Sequence, residues 1–278
     1  MPTNGQFAVG ELVTASDANT LFVRGYQNRI INGAFIINQR NYASGVNLAS
    51  GLYGFDRWKS GFTNTALTFT AGSQSTTVTI STSGVLQQIV ERQNMPAGTY
   101  VLSWAGTATG RVYNSGATPP AYAASPVTVT LDGLANVVVE FTAAGGTRTL
   151  SLVQLEAGPV FSPFQYRHLG EELNLCRRYY QRYTSTATDQ GFFSGVFFTT
   201  VVPVGPYLFP IMRAAPTITF SGTYDLVSGN VILTPTSITA GNITTSSAML
   251  TPAGVTHIAG QGFVVRQDSG FFDLNIEL

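Results

Sequence analysis

Apolar residues and hydroxyl-bearing or otherwise polar residues alternate with a period of two along much of this chain, and that alternation limits the folds open to it. Tyr100, Leu102 and Trp104 interleave with Val101 and Ser103. Val127, Val129 and Leu131 interleave with Thr128 and Thr130, and Leu150 and Leu152 with Thr149 and Ser151. Period two is the side-chain repeat of a strand with one face in a core and one in water. Turn residues separate these runs: Pro96-Ala97-Gly98, Asp132-Gly133 and Gly145-Gly146. Short strands so punctuated predict an antiparallel β-sandwich of jelly-roll type. The 106–126 stretch, with Pro119-Pro120, reads as a long loop interrupting it. Alternation returns after Thr184: Ile218 and Phe220 with Thr217 and Thr219, then Phe272, Leu274, Ile276 and Leu278 with Asp273, Asn275 and Glu277. The expected fold class is mainly β.

One segment between these regions has a helical period. At 100° per residue Leu173, Leu175, Cys176, Tyr179, Tyr180 and Tyr183 fall in one arc roughly 160° wide. Asn174, Arg177, Arg178, Gln181 and Arg182 fill the opposite arc. Glu171 and Glu172 in the first turn and Arg182 in the last suit the helix dipole. This predicts a short amphipathic linking helix with one buried face, Cys176 on it. Near the start, Thr14-Ala15-Ser16-Asp17 has a capping-box-like pattern ahead of Leu21 and Phe22. The expected organisation is an N-terminal anchor (1–28), a β-sandwich (29–168), the linking helix (169–184) and a C-terminal β domain (185–278).

Charge is scarce. Charged residues make up 10% of the chain, against roughly 25% in an ordinary soluble domain, and Lys59 is the only lysine. A formal net charge of zero gives no basic footprint, so neither nucleic acid nor an anionic membrane is an expected partner. The most apolar stretch, 196–212, is broken by Pro203, Gly205, Pro206 and Pro210, so membrane insertion is not expected, and 1–10 has no signal-peptide pattern. Between 226 and 265 there is no Asp, Glu, Lys or Arg and the only ionisable side chain is His257, and between 190 and 212 there is likewise no Asp, Glu, Lys or Arg. So neutral a surface suits burial between subunits, or contact with uncharged ligands such as glycans.

Catalytic patterns are sparse. Cys176 is the only cysteine, and His168 and His257 lie far apart without companions at metal-ligand spacing. No nucleophile elbow, P-loop or dinucleotide fingerprint occurs. No metal and no cofactor is therefore expected. A glycosidase would need two of Asp56, Glu91, Asp132, Glu140, Glu156, Glu171 and Glu172 to converge, and the expectation is that the chain is not an enzyme. Sugar rings stack on aromatic faces, so Tyr113, Tyr122 and Tyr207 are the candidate glycan-contacting residues, whereas Phe192 and Phe193 read as core or interface.

Several strings together resemble a known family. The run Val153-Gln154-Leu155-Glu156-Ala157-Gly158, followed by Ser162-Pro163-Phe164-Gln165-Tyr166-Arg167, resembles the ending of sandwich domains in phage tail proteins. Gly170-Glu171-Glu172-Leu173-Asn174-Leu175-Cys176-Arg177-Arg178-Tyr179-Tyr180 is similar to the helix that follows there. Asn28-Arg29-Ile30-Ile31-Asn32-Gly33-Ala34-Phe35, Gln39-Arg40 and Asp56-Arg57-Trp58 resemble the start of the same sandwich, and Pro210-Ile211-Met212-Arg213-Ala214-Ala215-Pro216-Thr217 an element of the distal domain. Gly10 to Asn19 is similar to virion-attachment leaders. The family is that of tail fibre and minor structural proteins of tailed bacteriophages. The resemblance implies a carbohydrate-binding-module-like sandwich, a linking helix and a distal β domain, usually in a homotrimer. It implies a virion protein made in the host cytoplasm, a fibre or spike subunit that attaches to a host-surface glycan. Docking on another virion protein would use the N-terminal segment, with Leu12, Val13, Leu21 and Phe22 as candidate contacts. Two alternatives stand beside this: a head fibre or capsid decoration protein without a receptor role, and a polysaccharide-degrading spike. Asp56-Arg57-Trp58 reads as a strand start with Trp58 buried and Asp56 and Arg57 available to pair.

Overall fold

The computed structural model describes residues 28–185 and 189–278; the docking candidates Leu12, Val13, Leu21 and Phe22 lie outside them. The protein is mainly β. Twenty strands and one short α-helix form its regular structure among the described residues. Two compact units emerge, and their limits differ from the expected ones. Among the described residues one contains 28–35, Asn47–Gly51 and Ser60–Tyr166; the other contains Ile36–Val46, Leu52–Lys59, 167–185 and 189–278.

In the first unit Thr65–Ala71 and Thr76–Ile80 pair in one sheet, and from Thr76–Ile80 onward successive strands alternate between two antiparallel sheets. Thr65–Ala71, Thr76–Ile80, Arg148–Ala157, Gly98–Gly106 and Val127–Leu131 lie in one sheet in that spatial order; Val85–Val90, Val137–Thr142 and Thr109–Asn114 lie in the other. Leu67, Val78, Leu86, Val139, Phe141 and Leu155 fill the space between them and are fully buried. Trp104 of the first sheet meets Phe141 of the second edge-on, ring centroids 5.0 Å apart.

Three expectations change here. The 106–126 stretch is not all loop: Thr109–Asn114 is a strand paired with Val137–Thr142. It escapes a hydropathy reading because Gly110 occupies one of its inward positions. A side chain there would lie within 3.0 Å of the Phe141 and Trp104 rings. Tyr100 to Trp104 is buried on both faces, so its alternation does not divide a dry face from a wet one. The Leu150/Leu152 alternation is interrupted, because Arg148–Ala157 carries a bulge between Ser151 and Gln154, with Leu152 at φ +51°.

In the second unit Tyr180–Thr184, Phe271–Asn275 and Thr217–Ser221 form a three-stranded sheet. A seven-stranded sheet runs Val231–Leu233, Tyr224–Ser228, Gly262–Gln267, Gln190–Thr199, Val202–Leu208, Ser247–Ala253, Ser237–Gly241. Phe197, Leu226, Leu250, Val265, Phe272 and Leu274 are buried in its core. The helix, α1, covers Leu169–Arg177 and stops well short of the expected 184. The Tyr179 N–H donates to the Cys176 carbonyl at 2.9 Å, closing the last turn. From Tyr180 the backbone is taken by a five-residue ladder with Phe271–Asn275, a better use of a Tyr- and Thr-containing run than more helix. The expected buried arc holds for Cys176, Tyr179 and Tyr180, but Gln181 and Glu172 are buried too. Among the described residues no helix is long and apolar enough to cross a membrane.

Candidate functional site

The chemistry-bearing residues fall into buried polar centres and one open, neutral groove. In the first unit, Glu140 is fully buried on the central strand of its sheet. It accepts hydrogen bonds from Gln87 Nε2 (2.6 Å), Arg111 Nε (2.7 Å), the Tyr113 hydroxyl (3.4 Å) and the Tyr122 hydroxyl, and pairs with Arg111. The Arg111 guanidinium lies 4.0 Å from the Tyr122 ring centroid and donates to the Pro120 carbonyl at 3.1 Å. Two candidate tyrosines, separate in sequence, thus meet on one carboxylate and hold the 115–126 segment to the sheet. Burial first, then Glu140 through its charge and its hydrogen bonds, pushes the hydroxyls of Tyr113 and Tyr122 above the ordinary tyrosine range. Both oxygens of Glu140 are thus taken up by neighbouring donors.

The family-like strings resolve into similar centres. Asn28 Oδ1 accepts from the N–H groups of Ile30 (2.9 Å) and Leu155 (3.1 Å), and Gln88 bonds both backbone groups of Ile31. A side chain on Gly33 would run into the Val153 carbonyl. Glu156 accepts from the Ser162 N–H (2.7 Å) and hydroxyl (2.8 Å), and Gln154 receives the Gln165 N–H at 2.9 Å. In the second unit Arg57, only 1% exposed, pairs with Glu277 and lies 3.6 Å from the Tyr179 ring centroid. Arg40 pairs with Glu277 at 3.3 Å and lies 3.5 Å from the Tyr180 ring. Asp56 accepts from Gln39 N (2.7 Å) and Nε2 (2.6 Å). Arg57 sits at φ +70° in a turn, so the expected strand start is corrected, while Trp58 is buried as expected. Burial raises the Asp56 carboxyl above its usual range, and burial together with the Asp56 charge raises the Cys176 thiol well above its own, leaving it inert.

Tyr207 belongs to neither kind of place. It packs on Phe272 (5.1 Å) and Phe192 (5.2 Å) in an aromatic cluster, and burial drives its hydroxyl far up.

The open site lies in the second unit. A groove of about 630 Å³ is lined by Ile218 to Tyr224 and by Thr234 to Ile238. Both strands that contribute, Thr217–Ser221 and Ser237–Gly241, are at the edges of their sheets. Its floor is apolar: Tyr224 and Ile238 are buried, Ile218 and Phe220 half-buried, and Phe220 stacks on Phe272 at 5.9 Å. Burial pushes the Tyr224 hydroxyl up to about 12, and it donates inward, to the Ser221 carbonyl at 3.2 Å. The walls carry six exposed hydroxyls, those of Thr219, Ser221, Thr223, Thr234, Thr236 and Ser237. Those of Thr219, Ser221 and Ser237 make no hydrogen bond among the described residues. No charged side chain lines the groove. None of these residues was singled out from the sequence for binding. The available signal was the lack of charge from 226 to 265, which marks a region and not a site.

Asp189, Asp225 and Asp268 bring carboxylate oxygens within 4.8 Å of one another. Arg266 pairs with Asp189 at 3.0 Å and approaches Asp225 at 3.9 Å, so the cluster is partly neutralised by protein.

No protein-family model matches the chain, and no curated protein does. Among solved structures it is similar to a Paenibacillus sp. cycloisomaltooligosaccharide glucanotransferase complexed with cycloisomaltoheptaose, at 11% identity and TM-score 0.24. That alignment covers 82% of this chain and 46% of the other, so this chain spans less than half of that enzyme. It is also similar to discoidin II from Dictyostelium discoideum, in the wild-type form (11% identity, 90% and 91% covered, TM-score 0.18) and the recombinant native form (9%, 90% and 92%, 0.19). Superpositions this poor establish neither a shared fold nor a shared ligand.

Proposed function

We propose that this chain is a non-catalytic structural protein of a tailed-bacteriophage virion. In this reading it is a fibre or spike subunit that docks through its N-terminal segment on another virion protein. It attaches to a host-surface glycan through the groove lined by Phe220 and Thr219. The observation that carries the attachment reading is the groove's composition, an apolar floor with a half-buried aromatic beneath unpaired hydroxyls. Pyranose rings offer C–H faces to such a floor and hydroxyls that both donate and accept to such walls. The virion reading rests on the resemblance. It is supported by the way the strings work physically: Gln39, Arg40, Arg57, Tyr179 and Tyr180 form one packed centre with Glu277.

The non-catalytic reading is supported by the carboxylates. Asp56, Glu140, Glu156 and Glu172 are each buried and bonded to neighbouring side chains or backbone. A homotrimer is part of the proposal. It is supported by a stripe of apolar side chains across the seven-stranded sheet: Ile232 opposite Val227, Val227 opposite Val264, and Val196 one row on. Ile232 is 59% exposed, and an uncharged stripe faces its own copy without like-charge repulsion.

The test is competition. The purified full-length protein should bind host cells and reduce adsorption of the virion that carries it, and Phe220→Ala should lose both properties while keeping its fold. Cell binding undiminished by Phe220→Ala, or no effect on adsorption, overturns the attachment reading.

A further inference from the structure

We propose that the groove selects uncharged saccharides and disfavours acidic ones. This rests on the glycan-attachment reading and goes beyond it by naming the class of sugar. Two independent features point the same way. The first is the set of donors. Every side-chain polar group lining the groove is a hydroxyl, with no Arg, Lys, His, Asn or Gln among them. A carboxylate, sulfate or phosphate on a sugar is held well by charge-assisted donors, above all a guanidinium fork. Hydroxyls alone do not compensate the loss of its hydration. Some wall hydroxyls already donate inward: Thr234 to Asp225 Oδ1 at 3.1 Å, and Thr236 to the Ala253 carbonyl at 3.3 Å. They present lone pairs to the groove, which accept from neutral sugar hydroxyls and repel an anion.

The second feature is the charge behind the wall. Asp225 lies directly behind Thr234, and the Asp268 N–H donates to the carbonyl of Thr223, another wall residue, at 3.1 Å. Asp189 completes this carboxylate cluster, and among the described residues the one guanidinium paired within it is that of Arg266. Three negative charges against one positive leave a negative field on that side. On the other side Asp273 stands opposite Thr219 in the ladder, but Arg182 holds it with two hydrogen bonds, at 2.8 and 2.7 Å. The field at the groove is therefore negative from one wall and balanced from the other. Charges about two contact lengths away through partly wet surroundings change affinity on the order of fivefold, and salt screens the effect.

The experiment measures binding of the full-length protein to matched oligosaccharide pairs, neutral hexose oligomers and their uronic-acid counterparts of the same linkage and length, at low and at high salt. The expected result is binding of a neutral member with its acidic partner weaker by about fivefold or more. Added salt should narrow that gap, and so should Asp225→Asn combined with Asp268→Asn. Binding of the acidic member as tightly as the neutral one overturns the selectivity and leaves the glycan reading standing. Binding to neither class across the set overturns both. A preference for neutral sugars that Thr219→Val and Ser237→Ala leave at full affinity places the selectivity elsewhere and overturns its assignment to this groove.

Discussion

Two regions of the second unit use charge in opposite ways. Around Glu277, Arg40 and Arg57 are packed against Tyr179 and Tyr180, with Asp56 and Gln39 beside them. Around Phe220 the surface is open, and no charged side chain lines it. In a chain with only 14 basic and 14 acidic residues, many of the charged groups sit inside. A buried ion pair contributes little net stability yet is costly to break, so the first region specifies how strands and turns meet. The second has hydroxyls that meet water or a ligand with equal ease. Charge in this protein marks scaffold, and its absence marks the surface proposed to bind.

This contrast can be broken by mutation, and the largest effect belongs to the buried centre. Glu277→Ala removes the carboxylate that pairs with Arg57, 1% exposed. It should lower unfolding free energy by about 3–5 kcal/mol, read from urea melts; a loss below about 1 kcal/mol would show the centre to be a solvated surface pair. Glu140→Gln, in the other unit, keeps the shape but removes the charge that Arg111, Tyr113 and Tyr122 share. It should cost about 1–3 kcal/mol and free the 115–126 segment to proteolysis.

Alkaline pH acts more gently and on both units. The hydroxyls of Tyr53, Tyr122, Tyr180 and Tyr207 are all held above the ordinary tyrosine value of about 10, burial being the first cause in each. The folded state thus keeps protons that the unfolded state releases. The stability these groups supply is complete below pH 10 and lost progressively above it. The urea midpoint should fall from pH 9 to pH 11 as tyrosinate absorbance rises with unfolding; a flat midpoint would mean these hydroxyls titrate normally. The smallest effect on stability belongs to the groove. Thr219→Val should leave stability within about 0.5 kcal/mol while weakening sugar binding measured by calorimetry. A larger loss of stability would make Thr219 part of the scaffold and erase the contrast.

The helix marks where sequence reading stops. From Leu169 to Arg177 the periodicity and the acidic first turn locate it well, but past Tyr179 the same residues satisfy a strand period. Nothing local separates the two. Pairing with Phe271–Asn275, some 90 residues away, settles it. The sandwich strands were legible because their wet faces carry Thr and Ser. The strand Thr109–Asn114 was not, because Gly110 is dictated by the Trp104–Phe141 contact.

Of the candidate glycan-contacting residues, Tyr113 and Tyr122 are legible in the sequence as aromatics, and that they share Glu140 only in the structure. Tyr207, the third candidate for contact with a glycan, lies in a packed cluster. The sequence alone determined the β-rich class, the neutrality of 226–265 and the position of the helix start, because strand and helix periods, charge content and capping are local properties. The tertiary structure alone decided which carboxylates are buried, that Arg57 answers to Glu277 across 220 residues, and that a groove opens beside Phe220. Burial and pairing depend on what the fold brings together, and no local pattern encodes which edges of two sheets will be left facing water.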